Sequence, residues 1–257
     1  VQSLKFLLRR RGEEGSALPP VLKTLDSAGV KFKRSQVSMV AAAPGVGKSA
    51  FALNYAIKAK LKTLYISPDS DMMMLTQRIL AQGWNIDTQV AEELIEAEEP
   101  DAMDYIAETA KLIWFDFQAG PRLQDIRDNI EAYATVWGEY PELIIIDNLK
   151  DIQNDGSEYE RFNESIDFLH QSARATSAHI MVLHHVVGHY EDGLTPVPLT
   201  GLVQKPGKSV RLVLTLHKVQ PGIMGVRVVK SNNSRSSGDA SYGVDIGFLP
   251  ERMWFSG

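Results

Sequence analysis

Eight consecutive residues do most to limit what this chain can become: Ala42-Ala43-Pro44-Gly45-Val46-Gly47-Lys48-Ser49, set after an apolar run and before a helical stretch. Glycines in such a turn let backbone N–H groups converge on a polyphosphate, and the helix that follows adds the positive end of its dipole. Lys48 reaches the β- and γ-phosphates, and Ser49 offers a hydroxyl to Mg²⁺. The first glycine of the general pattern is replaced by Ala42, while Gly45 and Gly47 remain. The cradle is assigned to Ala43, Pro44, Gly45, Val46, Gly47, Lys48, Ser49 and Ala50. The competing reading is a chance glycine-rich turn before a helix.

The surroundings read as α/β. Short β-branched runs predict strands over 37–42, 62–67, 111–116, 142–147 and 179–184, and helical periodicity predicts helices over about 49–60, 121–137 and 158–175. Alternation of this kind implies a mostly parallel twisted sheet with helices on both faces. Strand candidates at 210–217, 223–230 and 243–249 predict an antiparallel C-terminal extension. The 257 residues, 44% of them hydrophobic, suffice for one large domain over 21–257 preceded by a linker helix and linker over 1–20. A net charge of −5 confines any nucleic-acid contact to a local loop or channel. The absence of Cys excludes disulfide scaffolds and Cys-based zinc sites. No apolar run approaches ~18–20 residues, so no transmembrane helix is expected. The start at Val1 reads as a piece of a longer protein or a processed chain. The acidic segment 85–110, with Glu92, Glu93, Glu96 and Glu108 among its acids and no Lys or Arg, reads as a solvated helical face.

Three further positions carry chemistry. The run Leu143–Ile146 ends in Asp147, which strand direction places at the carboxyl edge beside the phosphate loop, suited to hold Mg²⁺ through water or Ser49. Taken alone, such an Asp is also a turn cap. Asp69, just after the second strand, either accepts a hydrogen bond from a water in line with the γ-phosphate or caps the helix beginning there. His185 stands at the end of the strand 179–184, one residue past it, where it is either a hydrogen-bond donor to phosphate or a partly solvated strand end. His185 and His189 are four apart, but Gly188 and Pro196 break helical spacing, which argues against zinc.

The segment Ala43–Asn54, followed by Ser67-Pro68-Asp69, Leu75 and Arg78, resembles the ATPase domain of hexameric replicative helicases in the RecA/DnaB superfamily. The resemblance implies a RecA-like P-loop core using ATP and Mg²⁺. It implies that Asp69 stands where the family usually has a water-orienting Glu, one methylene longer. It sets His185 where a polar residue, commonly Gln, senses the γ-phosphate. A Lys and an Arg that reach the ATP of the neighbouring subunit correspond to Lys230 and, a few residues displaced, Arg235. For Arg235 the residues equally allow an exposed basic turn. The implied catalytic set is Lys48, Asp69, Asp147, His185, Lys230 and Arg235, with Ser49 and Asp147 toward the metal.

The same resemblance implies a homo-oligomeric ring of six subunits whose channel is lined by loops near 150–158 and 187–208. Lys150, Lys205, Gly207 and Lys208 would meet single-stranded DNA through its phosphates. Asp151, Asp155, Glu191 and Asp192 oppose a basic loop, and Tyr159 and Tyr190 are too few for base stacking. Residues 3–11, with Leu4, Leu7 and Leu8 on one side, either pack on a neighbouring subunit or fray. The implied activity is that of an ATP-dependent DNA helicase motor working in replication, with primase and a helicase loader as partners, in the cytoplasm of a bacterial cell or phage-infected host. Two alternatives stay open. One is a RecA-like recombinase or regulatory ATPase that binds DNA or a protein partner without unwinding. The other is a non-catalytic nucleotide-binding ring subunit.

Overall fold

A computed structural model of the protein describes residues 15–204 and 210–257; the helix expected over 3–11 and the residues Lys205, Gly207 and Lys208 lie outside the described residues. Ala17 pairs with Lys33, and the buried Leu18 donates its N–H to the Phe32 carbonyl at 2.8 Å, so the chain enters the fold ahead of residue 21.

Five strands supply the parallel core: β1 (Val37–Ala41), β2 (Thr63–Ile66), β3 (Ile113–Asp116), β4 (Leu143–Ile146) and β5 (His179–His184). Four follow: β6 (Leu212–Gln220), β7 (Ile223–Ser231), β8 (Gly243–Leu249) and β9 (Trp254–Ser256). They form one 9-stranded sheet in the order β3-β2-β4-β5-β1-β6-β7-β8-β9. β6 is still parallel to β1, and the antiparallel pairing begins between β6 and β7. Every residue of β1, β2, β4 and β5 is buried, as strands covered on both faces must be. Each fully buried Ile or Leu in these runs contributes about 1.5–3 kcal/mol.

The helices are α1 (Lys23–Ser27), α2 (Lys48–Ala59), α3 (Met72–Trp84), α4 (Thr88–Glu96), α5 (Pro100–Ala110), α6 (Leu123–Trp137) and α7 (Glu158–Thr176). α7 starts at a reciprocal cap: the Glu160 N–H donates to Ser157 Oγ at 3.3 Å, and the Ser157 N–H donates to Glu160 Oε2 at 2.9 Å. It buries Phe162, Ile166, Leu169 and Ala173 on the sheet. α3, α4 and α5 form an excursion between β2 and β3 with a small core of Leu80, Ala81, Ala91 and Ala102. Glu92, Glu93, Glu96 and Glu108 lie on it toward solvent, on the face anticipated from the sequence.

Candidate nucleotide site

The carboxyl ends of β1, β2, β4 and β5 share one edge of the sheet, the edge at which ligands bind in open parallel sheets. After β1 the chain turns through Gly45 (φ 71) and Gly47 (φ 114), left-handed conformations that a side chain strains. Gly47 is the N-cap of α2, and no side chain caps that helix, so its first N–H groups face the loop. Ala42 takes no positive φ, which explains why alanine serves where the general pattern has glycine. A Cβ on Gly47 would meet the Phe248 ring at 2.8 Å and the Met224 Cε at 3.1 Å. The C-terminal strands therefore press directly on the cradle. Beside it opens an apolar cleft of about 290 Å³ bounded by Val46, Leu194, Ile223, Met224, Phe248 and Pro250.

Lys48 occupies the first turn of α2. Burial lowers its pKa below the ordinary lysine value, with Asp147, Asp151 and Asp69 opposing that pull and Lys150 adding to it. These interactions gather Lys48, Asp69, Asp147, Lys150 and Asp151 into one electrostatic cluster. Asp147 is buried, and its Oδ2 accepts a hydrogen bond from the Tyr65 hydroxyl at 2.9 Å. Asp69 is exposed just beyond β2, and after burial its charge is among the causes that raise the pKa of Asp151. Asp71, two residues on, is the residue that caps α3, accepting from the Met74 N–H at 2.7 Å. The capping role weighed for Asp69 thus belongs to its neighbour.

His185 closes the cluster from the end of β5. Its pKa is pushed down to about 4 by burial first, then by Lys48, Lys150 and His184, against Asp69, so the ring is neutral at neutral pH. Its Nε2 is buried and has no hydrogen-bond partner within the protein, as is also true of Ser67 Oγ at the end of β2. Neighbouring His184 is buried in the core instead, with Nε2 against the Val203 carbonyl at 2.8 Å and its ring beside Phe162.

The geometry fits Mg²⁺ held with a nucleotide. Among the described residues no three His, Asp or Glu side chains form a metal cage of their own. Mg²⁺ takes one or two carboxylates plus phosphate oxygens and waters, and Asp147 with Ser49 at a glycine cradle matches that donor set.

Lys230 and Arg235 lie elsewhere. Lys230 pairs with Val213, which pairs with Met39, so β7 carries it toward the amino end of β1 and away from the chain's own phosphate loop. Burial lowers its pKa. Arg235 is exposed and lies over the Tyr242 ring at 4.7 Å. Of the two loops expected to line a channel, the first holds Lys150, exposed on a 3-10 turn (Leu149–Asp151). The described part of the second is tied down. Val186 bridges Leu202, and the Lys218 N–H donates to the Gly193 carbonyl at 2.7 Å. Gly193 rests on the phosphate loop, where an added Cβ would come within 2.5 Å of Val46 Cγ2. Tyr65, Asp151 and Phe248 belong to this site, and sequence reasoning does not assign them to it. Only the position of Asp151 close after the Asp147 strand end hints at its place.

Residues 17–189 match the family model of the DnaB-like helicase C-terminal domain. The gene 65 protein of Mycobacterium phage L5 is 34% identical over 256 residues, covering 95% of this chain and 94% of that protein. Its counterpart in Mycobacterium phage D29 is 32% identical over 228 residues, covering 84% of this chain and 96% of that protein. The replicative DNA helicase DnaB of Geobacillus stearothermophilus is 28% identical over 185 residues, which span 68% of this chain and 40% of that protein. Among solved structures, a DnaB-like replicative helicase, described with its interactions with primase, superposes with a TM-score of 0.78 at 15% identity, over 100% of this chain and 67% of that one. A second solved structure, an ATPase domain, gives 0.77 at 15% identity over 99% of this chain and 95% of that one. At these identities the superpositions establish the RecA-like fold.

Proposed function

The chain belongs to the DnaB-like helicase C-terminal domain family, and from that premise we propose that it is the ATP-hydrolysing motor of a replicative DNA helicase. The N–H groups around Gly45 and Gly47 bind the phosphates, and Lys48 pairs with their outer oxygens. Ser49 and Asp147 hold Mg²⁺, which when bound offsets charge on the β- and γ-phosphate oxygens. Asp69 holds the attacking water, and neutral His185 donates its N–H to the γ-phosphate. The base lies in the apolar cleft beside Val46 and Phe248.

Lys230 and Arg235, remote from the chain's own loop, serve the nucleotide of the next copy in a ring of six, which makes hydrolysis depend on subunit contact. Lys150 and the loop carrying Lys205, Gly207 and Lys208 face single-stranded DNA in the channel, where weak phosphate contacts from several subunits add together. Primase and a helicase loader are partners of this assembly. No helix among the described residues is long and apolar enough to cross a membrane.

The observation that carries this reading is the gathering of Lys48, Asp69, Asp147 and His185 at one sheet edge, beside glycines held at positive φ. Lys48→Ala tests it by nucleotide binding and by DNA-stimulated ATP turnover. Loss of either is expected, and wild-type values in both would refute it. Strand displacement by the wild-type chain separates a helicase from a recombinase. Nucleotide binding without turnover would mark a ring platform.

A further inference from the structure

We propose that His184 is a positioning residue that couples the nucleotide site to DNA: its ring N–H holds the returning end of the second channel loop against the strand that leads to His185. The inference rests on the readings of that loop and of His185 given under Proposed function.

His184 is the last residue of β5 and is bonded in two directions. Its backbone carbonyl accepts from the Ala42 N–H at 3.2 Å, which ties it to the start of the phosphate loop. Its side chain goes the other way, because successive residues of an extended strand face opposite sides of a sheet. His185 feels Lys48 and Asp69, whereas the His184 ring packs beside Phe162 of α7, with centroids 5.5 Å apart. There Nε2 lies 2.8 Å from the Val203 carbonyl. A carbonyl only accepts, so Nε2 carries the proton. Nδ1 is buried and has no partner within the protein. Burial lowers the pKa of the ring, against the Val203 carbonyl and Glu158, and so keeps it neutral.

Val203 is where the second loop comes back. The Val187 N–H donates to the Gly201 carbonyl at 3.0 Å, Val186 bridges Leu202, and the Val203 N–H donates to the His185 carbonyl at 3.5 Å. Segments 185–187 and 201–203 thus form a stem that springs directly from the proposed γ-phosphate donor. The last of its bonds is long, and the His184 bond to the same residue is the short one. Immediately beyond, Gln204 takes a φ of 57, a left-handed conformation that a side chain leaves unless its surroundings hold it. Lys205 follows in the sequence. His184, Val203 and Gln204 also wall a cavity of about 130 Å³ with Leu149 and Lys150 of the first loop. Both loops therefore meet at His184. A shift of the β5 end on nucleotide binding would carry Val203 with it.

Three variants of the full chain test this. His184→Leu fills the space without a donor. His184→Asn ends its amide near the place of Nδ1, short of Val203, and His184→Gln reaches the place of Nε2. The measurements are the Kd for a fluorescein-labelled oligo-dT, with ADP and with a non-hydrolysable ATP analogue, and ATP turnover without DNA. In wild type the two Kd values should differ about tenfold or more. His184→Leu and His184→Asn leave the Val203 carbonyl without its donor and should bring the two values within about threefold of each other. Their turnover without DNA should stay within about threefold of wild type, and His184→Gln should keep most of the difference in Kd.

The inference is overturned if His184→Leu keeps the wild-type difference, or if wild type binds oligo-dT equally with both nucleotides. It is equally overturned if His184→Gln loses as much as His184→Leu, or if turnover without DNA falls as far as the DNA effect, either of which would make the role structural. If His184→Leu does not fold, His184→Asn against His184→Gln decides, and equal behaviour of those two overturns it. A wild-type chain that binds no oligo-dT at all would instead remove the reading of the second loop, and the inference with it.

Discussion

Tyr65→Phe isolates one hydrogen bond at the proposed metal-binding carboxylate. Tyr65 is fully buried on β2, and its hydroxyl donates to Asp147 Oδ2 at 2.9 Å. Burial, then the charge of Asp147, push its pKa well above the ordinary tyrosine value, so it remains a donor at every working pH. Deleting the oxygen removes a hydrogen bond to a charged group, about 1.5–3 kcal/mol, and leaves one carboxylate oxygen facing hydrocarbon. If the whole loss falls on folding, it lowers the melting temperature by about 3–12 °C for a chain of this size. If it falls on the metal, it is one to two decades in Mg²⁺ affinity, the usual consequence of losing the group that orients a metal ligand. The assay is the free Mg²⁺ that half-saturates ATP turnover at saturating ATP, alongside thermal unfolding without Mg²⁺. A raised Mg²⁺ requirement of about 10–100-fold, or an intermediate rise with part of the melting shift, is expected. An unchanged Mg²⁺ requirement in a variant whose melting temperature has fallen would show that Tyr65 only supports the core. No change in either would refute the reasoning.

Gly47→Ala forces a side chain into a positive-φ residue with the Phe248 ring 2.8 Å from its Cβ. At least a tenfold loss of affinity for a fluorescent ATP analogue is expected, and retained affinity would show that the cradle tolerates a shift of Phe248. His179 is wholly buried, with Nδ1–H donating to the Lys33 carbonyl at 2.8 Å and Nε2 accepting from Ser38 Oγ at 2.8 Å. Its pKa is lowered to about 4 by burial, so the unfolded chain binds the extra proton first as pH falls. Stability from this group is full above about pH 6.5 and is lost toward pH 4, at up to about 1.4 kcal/mol per pH unit. Urea unfolding of wild type against His179→Gln should differ in slope in that window, and parallel curves would contradict it. Mixing Lys48→Ala with Lys230→Ala subunits should recover up to about a quarter of wild-type turnover, since one interface in four joins an intact loop to an intact Lys230. No recovery in mixed rings would place Lys230 outside a shared site.

Much of the site was legible because its parts are local. A β-branched run such as Leu143–Ile146 fits a doubly covered strand and little else, and its direction fixed the edge on which Asp147 emerges. The phosphate loop carries its geometry in consecutive residues. The acidic segment 85–110 announced its solvated face by the absence of any base. What sequence could not show are partners brought together by strand order. Tyr65 and Asp147 meet because β2 lies beside β4, though they are 82 residues apart. Asp69 and Asp151 come to one edge of the sheet for the same reason. The pressure of Phe248 on Gly47 depends on how the antiparallel strands fold back, and β9 is too short to announce itself. Arg235 was carried over from the family resemblance, a few residues displaced, and that resemblance cannot reveal that its guanidinium lies across Tyr242.

The seat of Gly193 on Val46 makes one surface common to two loops. Gly193 is stitched through its carbonyl to Lys218 and lies against Val46 and Ala43 of the phosphate loop. If DNA draws residues 187–204 aside, that movement carries Gly193 with it and disturbs Val46 of the phosphate loop directly, with no relay between. Whatever factor DNA imposes on ATP affinity, ATP must impose on DNA affinity, because the two bindings close one thermodynamic cycle.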